Sequence, residues 1–464
     1  MVRVAFGAAI GLGIDESYMV AAGRDLHLAY FDHPPLAWWL AAGAARLTGT
    51  DAHLVVRLPF ILLFALSTWL MFRLTAALFS QRAGVWAALA LNLSPVFGVT
   101  SGGWVLPDGP LVCALLAAAI ALVHALGTGA WRWWLAAGVG AGLALLAKYN
   151  AALVLAGALL YLATQPRHRH WLLRPQPYVA AFVAIVLFAP VIAWNAAHGW
   201  ASFAFQGGRA GGAGLRPLGP LIVLGGEAVY LLPWIWLPLV LAGLGALRAG
   251  PADSRRWLLF CLGAPAVVLF AVVALRTKTV MFHWAAPGYL MLFPLLGSLL
   301  ERLPARLTRP VAAITAVLLL AGLGVVATEV RWEWLSLPRD PGAEAVDWSA
   351  LRPALAARGL LDRPNTVVGA TGWREAGKID YGLGGAATVI CLSRDPREYG
   401  LIAPLAAFVG KDVVIVARRP VSAETLAAQG IRFASVAPID RVPLDPAVRP
   451  GLQVQLYLGA GLQP

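Results

Sequence analysis

Long apolar segments, separated by short loops rich in Arg, Gly and Pro, constrain this chain more than any other feature. They lie near residues 2–14, 58–79, 83–100, 110–127, 132–147, 150–164, 178–194, 217–246, 257–275, 284–300 and 310–328. Most last about 17 to 25 residues without two-residue alternation, which is the length and pattern of a membrane-crossing helix rather than a barrel strand. At 59% hydrophobic and 13% charged residues, the chain has too little polar surface to cover a soluble globule. The expected fold is a polytopic α-helical membrane protein with about 11 transmembrane helices.

A net charge of +13 suggests nucleic acid at first sight, but the arginines gather in short patches between apolar runs. "QPRHRHWLLRP" (165–175), "LRAGPADSRRW" (247–257) and "ERLPARLTRP" (301–310) read as positive-inside loops, and no nucleic-acid partner is expected. Alternation then places residues 15–57, 101–109, 148–149, 195–216, 276–283 and everything after 328 on the opposite side. The first segment is short: 14 residues cover about 21 Å of a roughly 30 Å hydrocarbon core. Arg3 followed by a short apolar run also fits a signal peptide, yet the many later spans favour an uncleaved first helix. Cys113, Cys261 and Cys391 are widely spaced and form no disulfide or CxxC pattern.

After residue 328 charge rises and β-rich runs appear: "TVVGA" (366–370), "AATVICL" (386–392), "DVVIVA" (412–417) and "LQVQLYL" (452–458). They alternate with helical stretches at 348–360 and 422–430, the pattern of a small α/β domain. The expected division is a transmembrane catalytic domain over 1–328 and an extracytoplasmic α/β domain over 329–464, for substrate capture or as a lid or stability module.

Ionisable side chains at membrane depth are costly, so those collected on one side are functional candidates. The outward edges hold Asp15 and Glu16, Tyr30, Asp32 and His33 in "YFDHPP", Arg57, Asp108 in "WVLPDGPL", Lys148 and Tyr149 in "LLAKYNAAL", and Arg276, Lys278 and His283 in "LRTKTVMFHWAAPGY". Lysine is rare here, four residues out of 36 Lys and Arg, and the two before residue 330 are Lys148 and Lys278. Snorkelling explains a single helix-end Lys. Two Lys with an Arg, all opposite to the positive-inside bias, favour an anionic ligand such as a lipid phosphate. Trp38, Trp39, Trp104, Trp200 and Trp284 read as interfacial belt packing, with stacking on sugar as the alternative. A rigid loop fixed by Pro34 and Pro35 is the plain structural reading of "FDHPP".

Acids beside cations at the water–lipid boundary suit one chemistry in particular. A carboxylate takes a proton from an acceptor hydroxyl while cations stabilise a departing phosphate, which is glycosyl transfer from a lipid phosphate. Asp15 and Asp108 are the catalytic candidates; the other ten residues above are candidates for substrate binding.

The ordered stretch of Asp15-Glu16, "LHLAYFDHPPLAWWL" (26–40), "VRLP" (56–59), "PDGPL" (107–111), "AKYNAALVL" (147–155) and "WNAAHGWASFAFQ" (194–206) resembles bacterial glycosyltransferase family 39. That family holds the dolichyl-phosphate-mannose-protein mannosyltransferases and relatives that transfer aminoarabinose to lipid A. The resemblance covers roughly the first 300 residues. It implies a GT-C fold in the bacterial inner membrane with the active site facing the periplasm. It also implies a polyprenyl-phosphate sugar donor, inversion at the anomeric carbon, and a catalytic acid in the first external loop that Asp15 matches. Relatives of the aminoarabinose type carry Lys where this chain has His33, so phosphate binding is expected to shift to Lys148, Arg276 or Lys278. The expected partners are a polyprenyl-phosphate sugar, a lipid, glycan or protein acceptor, and membrane lipids. No cofactor is required, although Asp15 with Glu16 permits a divalent cation. The rivals are a transporter or flippase of lipid-linked sugars, which inverted repeats would mark, and a catalytically silent binding protein on the same scaffold.

Overall fold

The computed structural model describes every residue except 210, 213, 336–341, 446–448 and 464. The chain forms two compact units: residues 1–27, 38–58 and 321–464 make one, and residues 28–37 and 59–320 make the other.

Among the described residues, six helices are long and apolar enough to cross a membrane: His53–Leu78, Asp108–Thr128, Pro175–Ala197, Pro233–Ala252, Ser254–Val273 and Ala305–Trp332. A seventh is added if helices α1 (Val2–Ala9) and α2 (Ile14–Ala22), bent by 80° at their break, count as one span. The remaining apolar runs form shorter or broken helices. The 83–100 run becomes Gln81–Leu93 followed by a π-helical turn at Val96–Ser101. The 217–246 run is cut at Leu232, whose φ of 72° no α-helix accommodates, into Gly219–Leu231 and Pro233–Ala249. Trp131–Ala147 and Ala151–Thr164 keep 17 and 14 residues, and the 284–300 run splits into Ala286–Leu290 and Phe293–Leu300.

The larger, helical unit packs by close approach of small residues, the membrane substitute for a hydrophobic driving force. A Cβ on Gly138 would sit 2.4 Å from the Ala180 carbonyl oxygen, and one on Gly140 would sit 2.9 Å from the Ala118 amide nitrogen. The Trp131–Ala147 helix is thereby pressed between Pro175–Ala197 and Asp108–Thr128. Phe64, Met71, Leu74, Leu115, Leu116, Leu259, Tyr289 and Phe293 are among the buried residues at the centre of this unit.

The other unit contains a five-stranded sheet: β1 (Thr366–Ala370), β2 (Val389–Cys391), β3 (Asp412–Ala417), β4 (Arg432–Asp445) and β5 (Arg449–Gln463), in the order β2-β1-β3-β5-β4. β1 pairs parallel with β2 and β3, whereas β5 is antiparallel to β3 and β4. Strand β4 escaped the sequence reading because it carries Pro438 and Pro443, which count against a strand. It lies at the sheet edge, where a missing donor is tolerated, and its register slips beside both prolines.

The Trp373–Leu383 helix of this unit packs on α2 at glycine: a Cβ on Gly377 would lie 2.6 Å from Tyr18 Cα and 2.8 Å from its N and Cβ. Tyr18 stands edge-on to Trp373 and Trp38, with ring centroids 5.2 and 6.4 Å away. Arg24 to Asp380 at 2.5 Å and His27 to Glu398 at 3.1 Å continue the same seam. Because backbone cannot yield as a flexible side-chain tip does, Gly377→Val is expected to cost about 1–3 kcal/mol of stability. The measurement is the melting temperature of the detergent-purified protein, and an unchanged value would mean that the two helices do not approach this closely.

Candidate functional site

The α1–α2 break leaves backbone carbonyls outside any helix, and buried carbonyls require donors. Arg57 supplies most of them. Its Nη1 donates to Gly7 O at 2.7 Å and Ile10 O at 2.9 Å, and its Nη2 to Gly11 O at 2.9 Å. The same guanidinium donates to both oxygens of Glu16, from Nε at 2.8 Å and from Nη2 at 2.5 Å. Glu16 Oε2 also accepts from the Gly13 amide at 2.8 Å, closing the first turn of α2. Both side chains are buried. Glu16 and Arg57, expected to bind substrate, thus meet each other and the break. Asp15, one residue earlier on the first turn of α2, is exposed, where the positive end of the helix favours its carboxylate.

In the helical unit, Asp108 opens the Asp108–Thr128 helix and Lys148 follows the last turn of Trp131–Ala147. Lys148 Nζ donates to both Asp108 oxygens, at 2.9 and 3.0 Å. His33 and His283 act electrostatically on Asp108, and Lys148 and Arg209 act on His283. Burial, reinforced by these cations, pushes the His283 imidazole pKa down to about 4, so at neutral pH it is an uncharged hydrogen-bonding group. Tyr149 shares a 2.7 Å hydrogen bond with Ser202 and packs against Phe188 and Phe203. Tyr30 is fully buried, its amide donating to His33 O; Asp32 is also buried, and its carbonyl accepts from Gln206.

Arg209 escaped the sequence reading. Its guanidinium lies 4.5 Å from the centroid of Trp284 and 5.5 Å from that of Phe205, which in turn meets Phe31 at 5.0 Å. The signal was available: Arg209 sits in the 195–216 loop, opposite to the positive-inside bias, as Lys148 does. Arg276 and Lys278 are exposed and make no side-chain hydrogen bond or ion pair among the described residues. Lys148 and Arg209 are therefore the cations drawn into this cluster. Glu227 was missed too: it is buried within the apolar 217–246 run, accepts from Tyr289 Oη at 2.7 Å, and that hydroxyl accepts from Trp236 Nε1 at 3.0 Å. Among the described residues, no three His, Cys, Asp or Glu side chains gather as a metal centre would need.

Together these contacts gather Lys148, His33 and a neutral His283 around Asp108, with Arg209 acting on His283 and Asp32 on Tyr149. Lys148→Met is expected to destabilise the protein by about 3–5 kcal/mol because it leaves Asp108 without its counterion, and Lys148→Met with Asp108→Asn to recover most of that. Chemical denaturation of the two variants in detergent measures the coupling. Additive losses would mean that the pair does not form.

Residues 32–194 match the family described as dolichyl-phosphate-mannose-protein mannosyltransferase. His33, Arg57, Asp108, Lys148 and Tyr149 all fall inside that stretch. No curated protein sequence matches the chain. Among solved structures, ArnT from Cupriavidus metallidurans in the apo state is similar, with a TM-score of 0.65 at 16% identity, over 99% of this chain and 96% of that one. The same protein bound to undecaprenyl phosphate gives a TM-score of 0.66 at the same identity and coverage. At this identity the likeness is one of fold, and it runs through the helical region and the C-terminal sheet alike. The chain has the GT-C fold, and its residues 32–194 are similar to the dolichyl-phosphate-mannose-protein mannosyltransferase family.

Proposed function

We propose that this protein is a membrane glycosyltransferase that moves a sugar from a polyprenyl-phosphate donor to a hydroxyl of a lipid, glycan or protein acceptor. The observation that carries the reading is the grouping of Lys148, His33 and His283 around Asp108, with Arg209 acting on His283. A fold shared with a protein crystallised with undecaprenyl phosphate supports a lipid phosphate as the anion.

The proposed step is a single displacement with inversion. Asp15 accepts the proton of the acceptor hydroxyl, whose oxygen bonds to the anomeric carbon. The bond from that carbon to the phosphate oxygen breaks, and polyprenyl phosphate departs with the electron pair. Lys148 and Arg209 balance the charge that develops on the phosphate. Asp108 holds Lys148 and orients the acceptor, while neutral His283, with Tyr149, offers hydrogen bonds to sugar or phosphate. Glu16 and Arg57 act one step back, fixing the turn that carries Asp15. Tyr30, Asp32 and His33 shape the loop beside the cluster, and Arg276 and Lys278 supply a basic approach for an anionic headgroup. A divalent cation at the first acids remains compatible with this scheme and is tested below.

We place the protein in the bacterial inner membrane with about eleven spans, one for each apolar run of the sequence. Residues 1–328 form the membrane part. Residues 329–464 and the catalytic groups face the periplasm, because the basic loops alternate with the acid-bearing ones.

Asp15→Asn keeps the size of the side chain but removes its basic lone pair. Turnover is expected to fall about 10²-fold or more, with donor binding unchanged. The assay is sugar transfer from purified polyprenyl-phosphate sugar, with and without chelator, beside a donor-binding measurement. Near-normal turnover would sink the base assignment. Loss of wild-type activity on chelation would move the first acid to a metal-holding role.

A further inference from the structure

Lys378 lies on the Trp373–Leu383 helix and is only 4% exposed. Its Nζ donates to Leu12 O at 2.7 Å and to Val346 O at 2.7 Å. No carboxylate among the described residues forms an ion pair with it. Burial pushes its pKa down to about 7. A neutral amine has two N–H donors and an ammonium three, so both forms satisfy the two carbonyls.

The two carbonyls belong to segments that touch. Gly11 in the break approaches residues 345–347 so closely that a Cβ there would lie 2.6 Å from Ala345 O and 2.9 Å from Asp347 N. Ile10 and Val346 share a small apolar cluster with Val330. Arg57 satisfies the break at Gly7, Ile10 and Gly11, and Ser17 Oγ donates to Gly13 O at 2.8 Å. Leu12 remains, and among the described residues its one other side-chain donor is the same Ser17 hydroxyl at 3.3 Å. Lys378 therefore completes the set of donors three residues before Asp15.

We propose that Lys378 is a positioning residue for Asp15: by tying Leu12 to Val346 it fixes the end of the break from which α2 starts, so the sheet-bearing region sets how the acid is presented. This rests on the proposed role of Asp15. A buried lysine with no carboxylate in contact, Asp347 and Glu16 acting on it only from a distance, is costly, whereas a methionine of similar length fills the same space.

The test uses full-length protein purified in detergent and two readouts for Lys378→Met. Hydrogen–deuterium exchange is followed over residues 10–17, and kcat and KM are measured for transfer from polyprenyl-phosphate sugar. Exchange over 10–17 is expected to rise about tenfold or more. With the acid displaced by a fraction of an ångström to an ångström, kcat is expected to fall about 10- to 100-fold while KM for the donor stays within about twofold. Lys378→Gln, which keeps two N–H donors, is expected to recover part of both losses. Unchanged exchange in Lys378→Met overturns the clamp whatever the transfer assay gives, so this outcome is separate from failure of the glycosyltransferase reading. Faster exchange with a wild-type kcat overturns the positioning role and leaves Asp15 to be judged by its own variant. If Lys378→Met does not fold, Lys378→Gln decides alone: partial loss in both readouts upholds the proposal, and wild-type values in either overturn it.

Discussion

A guanidinium buried to 1% exposure organises the N-terminal region. An α-helix that stops inside an apolar protein exposes carbonyls with no water to meet them, and each unsatisfied group costs several kcal/mol in such surroundings. Here α1 stops at Ala9 and α2 starts at Ile14. Arg57 donates to carbonyls on both sides of residue 9 and is itself neutralised by Glu16 through a two-point carboxylate contact. The pair is thus a scaffold for a sharp bend, and the bend leaves Asp15 exposed on the first turn of the second helix. A lysine in place of Arg57 would present one ammonium to a site shaped for a planar fork, so the residue type follows from the geometry.

The helical unit solves a related problem with one ion pair. Asp108 and Lys148 sit at opposite kinds of helix end, the acid at an N-terminus and the lysine past a C-terminus, where the backbone dipoles favour each charge. Lowering His283 to the neutral form keeps an additional positive charge out of the cluster, and Arg209 lies over the ring of Trp284. The proposed mechanism gives Arg57 a scaffold role at the break and Lys148, held by Asp108, a role toward the donor phosphate.

Hydropathy made the membrane class and the long helices legible, since a run such as 178–194 leaves no other stable form in lipid. It overran where one apolar run hides a break: nothing apolar distinguishes Leu232 from its neighbours, and only its backbone conformation ends the helix. Four of the five strands were read from the sequence, β1 and β3 at their bounds and β5 only over its middle. β2 proved shorter than its run, and β4 was lost to its prolines. For the site, sidedness of charge named Glu16, Arg57, Asp108 and Lys148 as candidates but gave none of their pairings. Arg57 and Lys148 both look like outward cations in the sequence, yet one is enclosed by a carboxylate and three carbonyls and the other meets a single acid. Partners distant in sequence, such as Leu12 and Lys378, leave no periodic trace at all.

The account stands on transfer of a sugar from a polyprenyl-phosphate carrier. Its most direct measurement is mass spectrometry of envelope lipids, glycans and glycoproteins from a strain lacking this protein, compared with the same strain carrying the wild-type chain or Asp15→Asn. The account predicts one acceptor lacking a hexose, pentose or amino-sugar, restored by the wild-type chain and not by the variant. An envelope identical in all three strains, or equal restoration by Asp15→Asn, would contradict it.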